Sequence, residues 1–196
     1  MRLVFPLILA VFASQSTDAQ EILGWPTDKT PSGTKLIYEL SDGSTRVREV
    51  SYDNSGNPVL KVSTDIEENY NDNKVSHTIF ADIMGNVTSL EYQPGRYETY
   101  TPHNCSRVLG HCEYTFTNIK GREFKRVTES QIQGDWLIEI VKSESGTELW
   151  TTRRQFSKDG FLQRLEHFGS YDDSRFEMTL KKVVRPYAIE PSERKP

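Results

Sequence analysis

Four residues within ten positions carry the side chains best suited to chemistry: His103, Cys105, His111 and Cys112. Histidine and cysteine are common zinc ligands, but paired zinc ligands are usually about two to four residues apart, whereas His111 and Cys112 are adjacent. A redox-active pair is disfavoured because the C-x-x-C spacing is absent. In an oxidising compartment, two cysteines with six residues between them most simply form a disulfide. We therefore predict a Cys105–Cys112 disulfide, no metal site and no cofactor.

A second group of candidates surrounds a Pro-Gly turn and consists of aromatic side chains with an arginine and histidines. Aromatic faces beside an arginine can stack on a sugar or a peptide. The alternative is cross-strand aromatic pairing within a hairpin, which needs no ligand and is the interpretation that the sequence favours. The candidate ligand contacts are Tyr92, Arg96, Tyr97, Tyr100, His103 and His111.

Motifs of the common enzyme classes are absent, including G-x-S-x-G, H-E-x-x-H, the phosphate-binding loop and the dinucleotide fingerprint. The segment Asp53–Asn57 begins like a calcium loop, but Pro58 and Thr64 stand where an EF-hand needs Gly and Glu. This absence favours a non-catalytic protein. A hydrolase with a site on the loop around His103 and His111 stays open as an alternative.

The segments that must position these residues are short and rich in Val, Ile, Thr, Tyr and Phe, with turn signals roughly every dozen residues. Such spacing predicts an all-β fold, an antiparallel meander of about eleven or twelve strands without a helix. We expect the meander to curl into an open or closed barrel, the alternative being a β-sandwich. The turn signals are Asp42-Gly43, Asn54–Asn57, Asn71–Asn73, Met84–Asn86, Pro94-Gly95, Lys120-Gly121, Gly134-Asp135, Ser145-Gly146, Asp159-Gly160 and Asp172–Ser174.

Period-two alternation in three of these segments indicates which residues face the core. Apolar residues occupy every second position, and the residues between them are mostly polar. The alternating sets are Leu36, Tyr38 and Leu40; Trp136, Ile138 and Ile140; and Phe176, Met178 and Leu180.

The cysteine segment carries a resemblance. From Pro102 to Thr115 the chain reads P-H-N-C-x-R-x-L-G-x-C-x-Y-T. This pattern resembles a motif of uncharacterised exported bacterial all-β proteins, over about residues 100–125, and the resemblance implies export and a β-fold without a transferable activity. More remotely, an exported meander of this length resembles the open barrel of lipoprotein carriers, which implies carriage of an apolar ligand. The helices that plug those carriers are not evident in this sequence.

The first residues predict export. Arg2 precedes an apolar run from Leu3 to Ala13, and small polar residues follow, which is typical of a secretory signal peptide cleaved near Ala19. The apolar run is shorter than the roughly 20 residues of a transmembrane helix. The predicted organisation is a signal peptide (1–19), a lead-in segment (20–33), a single all-β domain (34–184) and a flexible tail (185–196).

Charge and composition exclude some partners. The net charge is −4, and both signs are interspersed along the chain. Nucleic acid would require a basic face and an anionic membrane a basic amphipathic helix, and neither pattern is present. We predict a soluble, non-membrane-spanning protein of the periplasm or the medium that binds a protein or cell-envelope partner. The alternative is a carrier of an apolar ligand inside a curled sheet.

Overall fold

The structure is a computed structural model that describes residues 30–64, 75–83, 85–103, 105, 108–158, 160–170 and 174–186. The predicted signal peptide and its cleavage position, most of the lead-in and tail, and the predicted turn at 71–73 lie outside the described residues. In the part of the chain that is described, no helix has the length and apolar character needed to cross a membrane. The strands are β1 (Lys35–Leu40), β2 (Thr45–Tyr52), β3 (Pro58–Thr64), β4 (Val75–Ala81), β5 (Val87–Gln93), β6 (Arg96–Thr101), β7 (Gly110–Thr117), β8 (Glu123–Gln133), β9 (Trp136–Ser143), β10 (Glu148–Phe156), β11 (Leu162–Gly169) and β12 (Arg175–Val184).

These strands form one closed antiparallel barrel. Each strand pairs with the next along the chain, and β12 pairs with β1 through partners such as Lys35 and Val184. Closure gives every strand two neighbours, so none exposes an unpaired edge. The predicted all-β meander of eleven or twelve strands is confirmed, and the architecture is a closed barrel rather than an open barrel or a β-sandwich.

A single turn geometry recurs around the barrel and explains the regular glycines of the sequence. In each of these hairpins the first residue donates its N–H to the carbonyl of the fifth, and a glycine at the fourth position donates back to the first. The glycine φ angles lie between 72° and 82°, a region that is costly for residues with a Cβ atom. This is a three-residue hairpin loop closed by a glycine bulge. It occurs at residues 40–44, 53–57, 118–122 and 143–147, and the same two hydrogen bonds join Asp82 with Gly85 and Asn86 and Ser157 with Gly160 and Phe161.

The register assigns each strand residue to the inside or the outside of the barrel, because side chains alternate and directly paired residues share a face. On β9 the buried residues are Leu137, Glu139 and Val141, whereas the alternate set that begins at Trp136 is only partly buried. The prediction that Trp136, Ile138 and Ile140 face the core is therefore wrong. The error arises because β9 is apolar on both faces and its one inward carboxylate is neutralised by a neighbouring arginine.

Two apolar clusters fill part of the interior. The first joins β1 and β12 and includes Tyr38 and Met178, in agreement with the alternation predicted for those two strands. The second lies on β2, β3 and β4. The buried members are Leu36, Tyr38, Phe161 and Met178 in the first cluster and Val50, Leu60, Val62 and Ile79 in the second. Val87 and Leu90 of β5 pack against the second cluster.

The outer face of β9 to β12 is held by paired charges. Arg153 donates to Glu166 at 2.9 Å, and Arg164 donates to Glu177 at 3.0 Å. Both guanidinium groups also lie over the ring of Trp136, at 4.7 and 5.6 Å from its centroid. Outward arginines on these strands therefore have carboxylate partners.

Candidate functional site

The segment between β6 and β7 is anchored to the barrel wall by a disulfide. Cys105 and Cys112 are bonded to each other, with their Cα atoms 5.5 Å apart. Cys105 is buried, and Cys112 belongs to β7. The bridge therefore ties a loop to the inner side of a strand. Among the described residues, no group of three or more His, Cys, Asp and Glu side chains is placed to hold a metal ion.

The two candidate histidines are not brought into one site. His103 lies 3.2 Å from Asp82 through its Nε2 atom and lines a cavity inside the barrel. His111 is exposed, with its Nε2 atom 3.3 Å from Glu113 of the same strand. The register puts His111 on the outer face of β7, because its neighbour Cys112 faces inward.

The aromatic candidates are also divided between the two faces of the sheet. Tyr97 is exposed and lies beside Phe80, with ring centroids 6.3 Å apart, and Arg96 is exposed at the turn. Tyr100 faces inward and pairs directly with Phe116 across the strands, at 5.7 Å between centroids. Tyr100 therefore takes part in cross-strand aromatic pairing.

The side chain of Tyr92 points inward, near the mouth of the barrel. Its ring lies 5.5 Å from that of His77, and its hydroxyl donates to Glu98. Burial, followed by the charge of Glu98, raises the pKa of Tyr92 to about 12. At neutral pH this phenol is therefore a hydrogen-bond donor that occupies the carboxylate of Glu98.

A cavity of about 290 Å³ lies inside the barrel, between the disulfide segment and the wall of β4 to β10. This volume is near the lower limit of small-molecule pockets, which run from about 300 to 1,000 Å³. Aliphatic and aromatic side chains form most of the wall. The lining residues are Ile79, Val87, Leu90, Tyr100, Pro102, His103, Cys105, Tyr114, Thr128, Glu139, Val141, Trp150 and Arg154.

The one carboxylate in this wall is neutralised by an arginine on the next strand. Arg154 donates to Glu139 from Nη2 at 3.0 Å and from Nη1 at 3.4 Å. The hydroxyl of Thr152 donates to the same carboxylate at 3.4 Å. Glu139 is only 7% exposed, so its carboxylate is largely shielded from water. Each charge of the pair is therefore stabilised mainly by the other. The sequence did not predict this pair, because the alternation assigned to β9 placed Glu139 on the outer face.

Two tyrosines in the cavity wall remain protonated at neutral pH. Burial, followed by the charge of Glu139, raises the pKa of Tyr114 to about 12. Burial, followed by the charge of Glu98, also raises the pKa of Tyr100. Their hydroxyl groups can therefore donate hydrogen bonds to a ligand, but they do not supply a phenolate.

Arg46 and Arg48 are two further inward residues that the sequence candidates omitted. Arg48 lies over the ring of Tyr38 at 5.3 Å, and Arg46 lies over the ring of Phe176 at 5.9 Å. Burial is the main cause that lowers the pKa of Arg48; the charge of Tyr38 opposes this shift, and the charge of Arg154 adds to it. In sequence they read as the polar positions of an alternating strand, which is why their inward orientation was not predicted.

We expect His77 to make the stability depend on pH. Burial first, then the charges of Arg48 and Arg46, lower its pKa from 6.5 to about 4. The unfolded chain therefore binds more protons between pH 4 and 6.5, so stability rises with pH in that window and is lost as the pH falls. Because the ring is partly exposed, we reduce the full linkage effect to about 1–2 kcal/mol.

Urea unfolding at pH 7 and pH 4.5 gives the loss of stability on acidification. We expect this loss to be smaller in His77→Gln than in the unaltered protein by about 1–2 kcal/mol. His111→Gln is the matched control, because His111 is exposed on the outer face. An unchanged pH dependence in His77→Gln would contradict this role.

Comparison with known proteins gives no family. No family model matches the chain, and no curated protein matches it. The chain is similar to the crystal structure of a β-barrel-like protein with a domain of unknown function from Brucella abortus, at 10% identity and a TM-score of 0.43, over 81% of this chain and 99% of that one. It is also similar to a candidate lipoprotein from Parabacteroides distasonis, at 9% identity and a TM-score of 0.35, over 79% and 96% of the two chains. At this level of similarity neither structure bears on function.

Proposed function

We propose that this protein is a non-catalytic carrier that holds a small apolar or amphipathic molecule inside its barrel. The observation that carries the proposal is the internal cavity with its largely apolar wall. A barrel of about eight strands is just wide enough for its own side chains to fill, so twelve strands enclose additional space. The two apolar clusters occupy one side of that space. Ile79, Val87 and Leu90 of the second cluster also line the cavity, and the strands from β6 to β10 form the rest of its wall.

The same wall argues against the hydrolase alternative. His103 and Asp82 form a histidine–carboxylate pair, but the one aliphatic hydroxyl among the described residues that line the cavity, that of Thr128, is hydrogen-bonded to Tyr114. Activation of a nucleophile requires that group within hydrogen-bond reach of its base. Binding of a protein or envelope partner, and export itself, stay predictions from the sequence.

The proposal is tested by filling the cavity. Val141 lines the cavity and is 2% exposed, whereas the preceding residue of β9, Ile140, points to the outside of the barrel. We expect Val141→Phe to weaken binding of the uncharged probe N-phenylnaphthylamine about tenfold, since loss of roughly 1.4 kcal/mol of apolar contact has that effect.

Ile140→Phe is the control, because it adds the same ring to the outer face of the same strand. It should bind the probe like the unaltered protein. Equal affinities of all three proteins, or no binding to the unaltered protein, would refute the proposal. Circular dichroism would establish that each variant keeps its sheet.

A further inference from the structure

Two arginines inside the barrel lie close to the cavity wall. The register pairs Arg48 with Val62, and Val62 pairs with His77 on its other side. His77 is the inward neighbour of Ile79, which lines the cavity. Arg46 is the next inward residue of β2. Both side chains thus face the interior, and the charge of Arg154, which lines the cavity, acts on Arg48.

Arg46 and Arg48 lack the carboxylate partner that Arg153, Arg154 and Arg164 have, and among the described residues the inward Arg126 of β8 lacks one too. Arg153 and Arg164 are paired on the outer face, and Arg154 is paired inside the barrel. Arg46 and Arg48 take part in none of the ion pairs among the described residues. Both side chains are partly buried, and each guanidinium group lies over an aromatic ring instead of a carboxylate. Buried charges are ordinarily paired, because taking an uncompensated charge out of water is costly.

The remaining charges of the interior do not supply the missing partner. Among the described strand residues, the inward carboxylates are Glu98 and Glu139. Glu98 accepts the hydroxyl of Tyr92, and Glu139 is held by Arg154. The charge of Arg154 acts on Arg48 as a second cation, and only the exposed Asp42 offsets the charge of Arg46. Cations therefore dominate this part of the interior, which favours an anionic guest.

We propose that the bound ligand is an amphipathic anion whose carboxylate or phosphate group lies at Arg46 and Arg48, with its apolar part in the cavity. This inference rests on the proposed carrier function. A guanidinium group offers a planar fork of donors that fits a carboxylate or a phosphate with two hydrogen bonds. The apolar wall of the cavity would shield the remainder of the ligand from water.

The test compares three probes with the same alkyl chain: dodecanoate, dodecyl phosphate and dodecanol. We expect the unaltered protein to bind one or both anions about ten- to a hundredfold more tightly than the alcohol, the ratio that corresponds to hydrogen bonds with a charged group. Arg48→Met should bind each anion only as well as the alcohol and leave the affinity for dodecanol unchanged. Which anion binds more tightly distinguishes a carboxylate from a phosphate ligand.

Lys61→Met is the matched control. Lys61 is exposed on the outer face of β3, next to Val62, and its replacement removes the same charge from the other side of the sheet. It should keep the preference for anions, and Arg46→Met should weaken that preference like Arg48→Met. Equal affinity of the unaltered protein for dodecanol and both anions would overturn the inference but keep the carrier function. Binding of none of the three probes would refute the carrier function itself, and the inference with it.

Discussion

Glu139→Gln is expected to lower the free energy of unfolding by about 2–3 kcal/mol, the largest loss that we expect from a single change of this size. The substitution keeps the shape of the side chain but removes the charge that neutralises Arg154. Removing one partner of a buried pair leaves the other charge uncompensated, at a cost of about 3–5 kcal/mol when both are fully buried. We place the value lower because the side chain of Arg154 is 23% exposed.

Urea unfolding of the single and double variants would separate the two contributions. The double variant Glu139→Gln with Arg154→Met should recover most of the lost stability, because it no longer buries an unpaired guanidinium group. A double variant no more stable than Glu139→Gln alone would show that Glu139 contributes through packing rather than through its charge.

Arg48→Met is expected to act in the opposite direction and to stabilise the ligand-free protein by about 1–3 kcal/mol. The methionine keeps much of the aliphatic length and removes a charge that has no carboxylate partner. It also removes the cation–π contact with Tyr38, which limits the expected gain. Most substitutions of interior residues destabilise a protein, so a gain here would be informative. A residue retained at a cost in stability is typical of a binding site.

The measurement is again urea unfolding, without ligand, with Lys61→Met as the control that removes a charge from the outer face. Lys61→Met should change the stability by no more than about 0.5 kcal/mol, as is usual for surface positions. A loss of stability in Arg48→Met would show that Arg48 is a structural residue. The effect of the variant on dodecanoate binding would then need another explanation.

The sequence predicts the fold better than it predicts the site, and particular residues show why. The glycines of the recurring hairpin are local signals, because a positive φ at Gly56 or Gly146 is required by the turn itself. The choice between a barrel and a sandwich depends instead on whether β1 pairs with β12. That pairing involves residues from the two ends of the sheet, and no local pattern encodes it.

The candidate site was predicted only where its residues are neighbours in sequence. Tyr100 was predicted as part of the aromatic group around the Pro94-Gly95 turn and His103 also because it lies near Cys105, and both line the cavity. Glu139 and Arg154 lie on neighbouring strands, and the register of β9 with β10 pairs Arg154 with Leu137. Glu139 is the next inward residue of β9, so Arg154 reaches it diagonally, and no pattern within either strand predicts this contact. Arg48 was missed for a different reason, since inward arginines contradict the rule that the polar face of a strand is wet.

The pairing of the first and last strands also has a consequence for the order of events during folding. Lys35 and Val184 are partners, so the ring of strands cannot close until the whole sheet-forming chain is available. Contacts between residues far apart in sequence form late and slowly, because the intervening chain must first lose its freedom. The hairpins can form early, but the enclosed interior does not exist before β12 docks on β1. A nascent or truncated chain that lacks β12 therefore has no chamber in which to hold a ligand, although most of its hairpins are already present.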